Sequence, residues 1–97
     1  GFVRDLVGHG VGHAVHEEPV IPNYYDPSLE SVKLLPGMVI AIEPMISLGG
    51  WKVKTAPDGW TIVMSDQSLC AHFEHTIIIT KTGHEVITRR PREQKEL

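Results

Sequence analysis

Cysteine is almost missing from this sequence. Cys70 stands alone among 97 residues, so no internal disulfide can form, which fits a reducing compartment and a cytoplasmic setting. No apolar run approaches the roughly 20 residues of a membrane span, and no signal peptide is visible. Basic charge is in deficit: nine Lys and Arg against twelve Asp and Glu give a formal net charge of −3. With a pI near 6.0, the chain carries no nucleic-acid footprint. Amphipathic helical periodicity and internal repeats are absent too. There is no initiator methionine; the chain starts at Gly1, with the expectation that an earlier segment preceded it or was cut away. What remains is one small domain, or part of a larger one, with 41% hydrophobic residues, enough for a core. Six histidines in so short a chain make metal chemistry worth pursuing.

Three of those histidines fall in Gly8-His9-Gly10-Val11-Gly12-His13-Ala14-Val15-His16-Glu17-Glu18-Pro19. His9 and His13 have the spacing of helical zinc motifs, but no glutamate follows His9, so the H-E-x-x-H pattern fails. Each interleaved glycine costs a helix about 1 kcal/mol relative to alanine. The segment therefore reads as irregular backbone presenting imidazoles, with glycine allowing close approach to a metal or substrate. A loop with surface histidines is the equal alternative on this segment alone.

The remaining chain reads mainly as strands and loops. Residues 2–7 are apolar enough for a short strand, and residues 19–36, with their prolines and the Asp26-Pro27 signal, read as a long loop. Residues 38–46 form an apolar strand containing Glu43. A carboxylate buried there needs a cation, a metal or a proton; the plain alternative is a solvated edge strand, which Pro44 permits. Residues 51–55 and 60–64 read as a hairpin about the turn Ala56-Pro57-Asp58-Gly59. Residues 69–80 are the longest strand candidate, with Glu74 on the face of His72 and Thr76, and His75 on the other. Residues 85–88 form a return strand, and residues 89–97 a charged, solvated tail. His9, Glu43 and Glu74 together suit manganese, iron, cobalt or zinc better than calcium or magnesium. His13, His72, His75 and His84 read as ordinary hydrogen-bonded or solvent-facing residues, and Glu17 and Glu18 as residues that fix the loop or meet solvent. Trp60 reads first as a core tryptophan of the hairpin.

Gly8-His9-Gly10-Val11-Gly12, His16-Glu17-Glu18-Pro19, Ile42-Glu43-Pro44-Met45 and Phe73-Glu74-His75-Thr76 follow one another in this order. In that arrangement the sequence resembles type I methionine aminopeptidases, over nearly the whole chain. Prolidases and proline aminopeptidases share the metal ligands, but Glu17-Glu18-Pro19 and Ala56-Pro57-Asp58-Gly59-Trp60-Thr61 favour the methionine enzymes. The resemblance implies an α+β pita-bread fold, of which this chain supplies mainly antiparallel strands and loops. Residues 1–88 would be the C-terminal part of the catalytic domain and 89–97 the tail.

The resemblance also implies roles. Two divalent ions would activate a water to remove the N-terminal methionine from nascent polypeptides. His9 and Glu43 would bind one ion, Glu74 would bridge both, and Glu43 would act as general base. His16 would hydrogen-bond the substrate peptide, and Trp60 would line the pocket for the first side chain, with Val15 and Cys70 near it. Two aspartates and a further histidine would come from an N-terminal half that these residues do not include, leaving this chain alone inactive. The ribosome joins the nascent chain as an implied partner. The rival readings are an Xaa-Pro aminopeptidase or prolidase, and a non-catalytic pita-bread module that binds peptide or ribosome.

Overall fold

The computed structural model describes residues 1–28 and 31–93, and in it the glycine segment contains a strand, β1 (Gly8–Gly10). Antiparallel neighbours flank it closely on both sides: β2 (Glu17–Ile21) and β3 (Val39–Ile42). A Cβ on Gly8 would lie 2.2 Å from the Ala41 carbonyl oxygen, and one on Gly10 would lie 2.1 Å from that of Glu18. Glycine is required here by neighbouring backbone rather than by a metal or substrate. The two glycines leave His9 as the one side chain of β1, part-buried between its neighbours.

β2 corrects the expectation of a loop from residue 19 onward. Pro19 cannot donate to a ladder, yet β2 lies at the edge of the sheet, where a missing donor is tolerated. The described residues from Pro22 to Pro36 outside β2 hold no regular element; residues 29 and 30 of the expected loop lie outside the described residues. Glu17 accepts the Ala14 N–H at 3.1 Å, closing the loop between β1 and β2.

The two longest expected strands are each divided. The apolar run 38–46 becomes β3 and β4 (Met45–Ser47), separated at Glu43-Pro44. The run 69–80 becomes β7 (Cys70–His72) and β8 (His75–Ile79), separated at Phe73-Glu74. β3 pairs with β8 and β4 with β7. Ile42 faces His75 on one side of the gap and Met45 faces His72 on the other, so the register is unchanged across it. The gap is bridged by the Phe73 N–H donating to the Pro44 carbonyl at 3.0 Å.

The five-stranded sheet runs β2-β1-β3-β8-β9, its last strand being β9 (His84–Val86), one residue earlier in start than the expected return strand. The expected hairpin is present as β5 (Val53–Thr55) and β6 (Ile62–Met64). Its turn is held by Asp58, which accepts the N–H groups of Trp60 and Thr61 at 2.9 and 2.8 Å. The hydroxyl of Thr61, followed by these N–H groups, lowers the Asp58 pKa. Residues 2–7 form only a bridge from Phe2 to Ile46, because β4 beside them is short and the chain bends at Asp5-Leu6 toward β1.

Two small buried regions follow from this layout. Ile40 and Ala41 are sealed in the middle of the large sheet, while Val3, Met45 and Met64 form a cluster beneath the two ribbons, with Leu6 and Val53 against it. The chain is open for its length: its radius of gyration is 15.0 Å, against about 13 Å for a compact domain of this size.

The charged end is less solvated than expected. A 3-10 turn, Pro91–Glu93, folds Glu93 into a buried position. Its carboxylate accepts from the Arg90 guanidinium and backbone N–H, and lies 3.6 Å from His75 Nε2. Residues 94–97 of the expected tail lie outside the described residues. Arg90 first, through its side chain and then its N–H, lowers the Glu93 pKa from 4.5 to about 2. A depressed carboxylate stabilises the fold fully above its unfolded pKa and loses that effect as pH falls through the folded one. The turn should therefore hold at pH 5 and release progressively between about pH 4.5 and 2. A carboxyl-carbon NMR titration should give Glu93 a midpoint near 2; a midpoint near 4.5 would show that the Arg90 clamp is not formed.

Candidate metal centre

The register places the candidate ligands. His9 lies opposite Ala41, and Ala41 lies opposite Thr76. Side chains directly opposite share a face, and residues two apart return to it. Glu43 and Glu74 are each two positions beyond this row, and the unchanged register sets them opposite each other within the gap. The methyl of Ala41 leaves room for His9 to reach along the strand toward Glu43. The outcome is a cluster in which one ligand atom each from His9, Glu43 and Glu74 lies within 4.8 Å of the others. His9 and Glu43 are part-buried and Glu74 is exposed.

The donor set fits a divalent cation on two grounds. Two carboxylates opposed at this distance repel by on the order of 3 kcal/mol at an effective dielectric of about 20, less where water reaches Glu74. The second ground is the state of His9. Its Nδ1 lies 2.8 Å from the Gly10 carbonyl oxygen, which can only accept, so Nδ1 carries a hydrogen. In the neutral ring Nε2 is then a bare lone pair, and it lies 2.9 Å from Glu43 Oε2. Two lone-pair atoms at that distance need a proton or a cation between them. A backbone carbonyl that fixes the tautomer is also the usual support of a metal-binding imidazole.

His16 stands beside this cluster. Its ring centroid is 4.2 Å from that of His9, at an interplanar angle of 53°. His9, His16, Glu43, Glu74, Val15, Ala41 and Thr76 line a polar cleft of about 270 Å³. A larger, mainly apolar cleft of about 530 Å³ shares His9, His16 and Glu43 and continues past Met45, Met64, Cys70 and His72. Trp60 is not brought to either cleft; it is 85% exposed on the hairpin. It is thus not the core residue that its place in a hairpin suggests.

The other histidines divide. His13 and His84 face solvent. His75 points away from the cluster, with Nδ1 2.8 Å from the Thr88 hydroxyl. His72, read as an ordinary sheet residue, instead brings Nε2 to 3.4 Å from Glu43 Oε1. The signal for this contact was its place on the face of Glu74 and Thr76; the unchanged register that carries it across to Glu43 has no local mark in the sequence.

Comparison with known proteins places this geometry. The sequence pattern of metallopeptidase family M24 matches residues 1–81, and the chain belongs to that family. It is 55% identical over 87 residues to methionine aminopeptidase 1 of Bacillus subtilis, covering 90% of this chain and 35% of that protein. It is 54% identical over 89 residues to the methionine aminopeptidase of Mycoplasma capricolum, covering 92% and 35%. The crystal structure of methionine aminopeptidase from Thermotoga maritima superposes with a TM-score of 0.85 at 54% identity, covering 93% of this chain and 36% of that one. The strands described above are thus part of a pita-bread fold. The chain spans about a third of the length of the relatives it matches.

Removing one of the opposed charges should have opposite effects with and without metal. Glu74→Gln should raise the melting temperature of the metal-free chain, since about 1 kcal/mol of relieved repulsion corresponds to roughly 5 °C in a domain this small. The same variant should lose most of the stabilisation that Mn²⁺ gives the wild type. Paired thermal melts check both; a metal-free variant that melts below the wild type would mean Glu43 and Glu74 do not oppose each other unscreened.

Proposed function

We propose that this chain is the C-terminal part of the catalytic domain of a metal-dependent methionine aminopeptidase, with residues 1–88 belonging to that domain and 89–97 its charged C-terminal tail. The observation that supports this most is the convergence of His9, Glu43 and Glu74, with His16 against them, in a chain of the M24 family. No helix among the described residues is long and apolar enough to cross a membrane; the proposed setting is the cytoplasm, with nascent polypeptide N-termini as substrates and the ribosome as their source.

His9, Glu43 and Glu74 would hold divalent ions, two in the complete site, of cobalt, manganese, iron or zinc. Such ions supply Lewis acidity, lowering the pKa of a water and polarising the scissile carbonyl. Glu43 is the general base: one carboxylate oxygen takes the proton of the attacking water and returns it to the leaving amine. His16 donates a hydrogen bond to the peptide carbonyl, an interaction that strengthens as negative charge builds on that oxygen. Val15, Cys70 and Trp60 belong to the wall of the pocket for the first side chain, where an unbranched thioether packs well against an aromatic ring. Exposed Trp60 reaches that role once sequence beyond these 97 residues closes over the hairpin. The same additional sequence would supply two aspartates and a histidine, and would cover exposed apolar side chains such as Phe2, Leu48, Leu69 and Phe73.

Charge sets what the chain does alone. Two divalent ions roughly 4 Å apart bring four positive charges, and Glu43 and Glu74 offset only half of them. The isolated chain should hold a single ion loosely and should not hydrolyse a Met-Gly peptide with added Mn²⁺ or Co²⁺. Turnover near that of a full-length relative would show that the site is complete without further ligands.

The activity itself is tested by a chimera in which this chain replaces the matching third of the Bacillus subtilis enzyme. Cleavage of Met-Gly peptides is the expected outcome. Preference for Xaa-Pro peptides would favour a prolidase-like enzyme, and no cleavage with metal bound would favour a binding module. In the chimera, His16→Ala should lower kcat on the order of a hundredfold, as loss of a positioned donor does, with metal content unchanged. Equal loss of metal and activity would make His16 a ligand.

A further inference from the structure

Glu43 sits where the sheet gives it least support. It lies in the gap between β3 and β4, and the residue after it, Pro44, has no N–H to contribute. Its carboxylate is nevertheless part-buried, with a side-chain exposure of 14%, and a buried carboxylate oxygen without a partner is costly. Each oxygen has one histidine: Oε2 has His9 Nε2 at 2.9 Å and Oε1 has His72 Nε2 at 3.4 Å. The two histidines come from opposite sides of the gap, His9 from β1 and His72 from the end of β7. The anchor on the far side is firm, because His72 is in register with Met45, which is buried against Val3 and Met64.

These contacts differ in kind. His9 Nε2 is the lone pair freed by the Nδ1 hydrogen bond to Gly10, and it belongs to the set whose ligand atoms all lie within 4.8 Å of one another. His72 is outside that set and touches Glu43 alone among its members. Oε2 is the Glu43 oxygen beside His9 Nε2, so an ion held by His9, Glu43 and Glu74 would draw on it, and His72 is then the side chain left to hold Oε1. We propose that His72 is a positioning residue: its Nε2–H holds Oε1 of Glu43 and so keeps the other oxygen turned toward the cation. The inference rests on the metal-site reading and adds to it a residue outside the ligand set.

The experiment is Co²⁺ binding to the 97-residue chain, followed by calorimetry and by the visible spectrum of the bound ion. His72 is half-exposed, with a side-chain exposure of 48%, so substitution there should leave the metal-free melting temperature unchanged. His72→Ala should weaken Co²⁺ binding about tenfold, the lower end of the range for loss of a group that supports a metal ligand. His72→Gln, whose amide can donate from a similar position, should restore the affinity to within a few-fold and leave the spectrum unaltered. Unchanged affinity in His72→Ala overturns the positioning role while leaving the metal site standing. A Gln variant as weak as Ala with a shifted spectrum overturns it in favour of direct ligation. A wild type that takes up no Co²⁺ overturns the metal-site reading, and this inference with it.

Discussion

Glu43 and Glu74 face each other because two strand pairs, β3 with β8 and β4 with β7, keep one register across a shared gap. Like charges directly opposite in a sheet are unfavourable, and here the paired flanks hold both backbones in place, leaving side-chain rotation as the way to separate the carboxylates. The gap itself relieves part of the constraint. With the ladder reduced there to the bond from the Phe73 N–H to the Pro44 carbonyl, the backbone can turn both side chains into one cleft while its flanks stay paired. What the sheet cannot supply is positive charge. That must come from the histidines on either side, or from a cation between the carboxylates, and the tautomer of His9 set by Gly10 favours the cation.

The same logic explains why β1 carries a glycine on each side of His9. His9 must lie level with Ala41, one row short of the carboxylates, and its strand must be covered on both edges to be held there. Gly8 and Gly10 allow β2 and β3 to approach within distances that a Cβ would prohibit. Ala41 contributes the complementary feature on the next strand, a side chain too small to stand between His9 and Glu43. Sheet packing and ligand placement are therefore one requirement, and substitution at either glycine would act on the site through the strands.

Much of this was legible in the sequence, in proportion to how local each cause is. The hairpin was readable because Ala56-Pro57-Asp58-Gly59 carries its own turn chemistry, now visible as Asp58 accepting from Trp60 and Thr61. The convergence of His9, Glu43 and Glu74 was expected from their residue types and the family resemblance. The gaps were not: Pro44 marks one of them, but Phe73-Glu74 has no breaker and parts only because its partner does. β2 was hidden by Pro19, which reads as loop until the strand is known to lie at an edge. The spacing of Arg90 and Glu93 suits a local ion pair, whereas the approach of His75 to the same carboxylate depends on where β8 passes. Trp60 is the reverse case, a residue that a hairpin alone would bury and that stands in the open.

An open surface beside an organised site is the remaining physical feature to place. His9 has its tautomer fixed within its own strand, and each oxygen of Glu43 has a histidine beside it, so the chain's own residues orient both groups. Their preorganisation lowers the cost of taking up a cation, but orientation does not add charge. In the proposed reading, added acidic ligands and added apolar cover come from the same source, the two thirds of the relatives' length that this chain does not match. Binding of the second ion and closure over the exposed strands are then linked: closure brings the carboxylates that make the second ion tolerable. The bound ions in turn favour the closed arrangement, because whatever binds only the assembled form stabilises it.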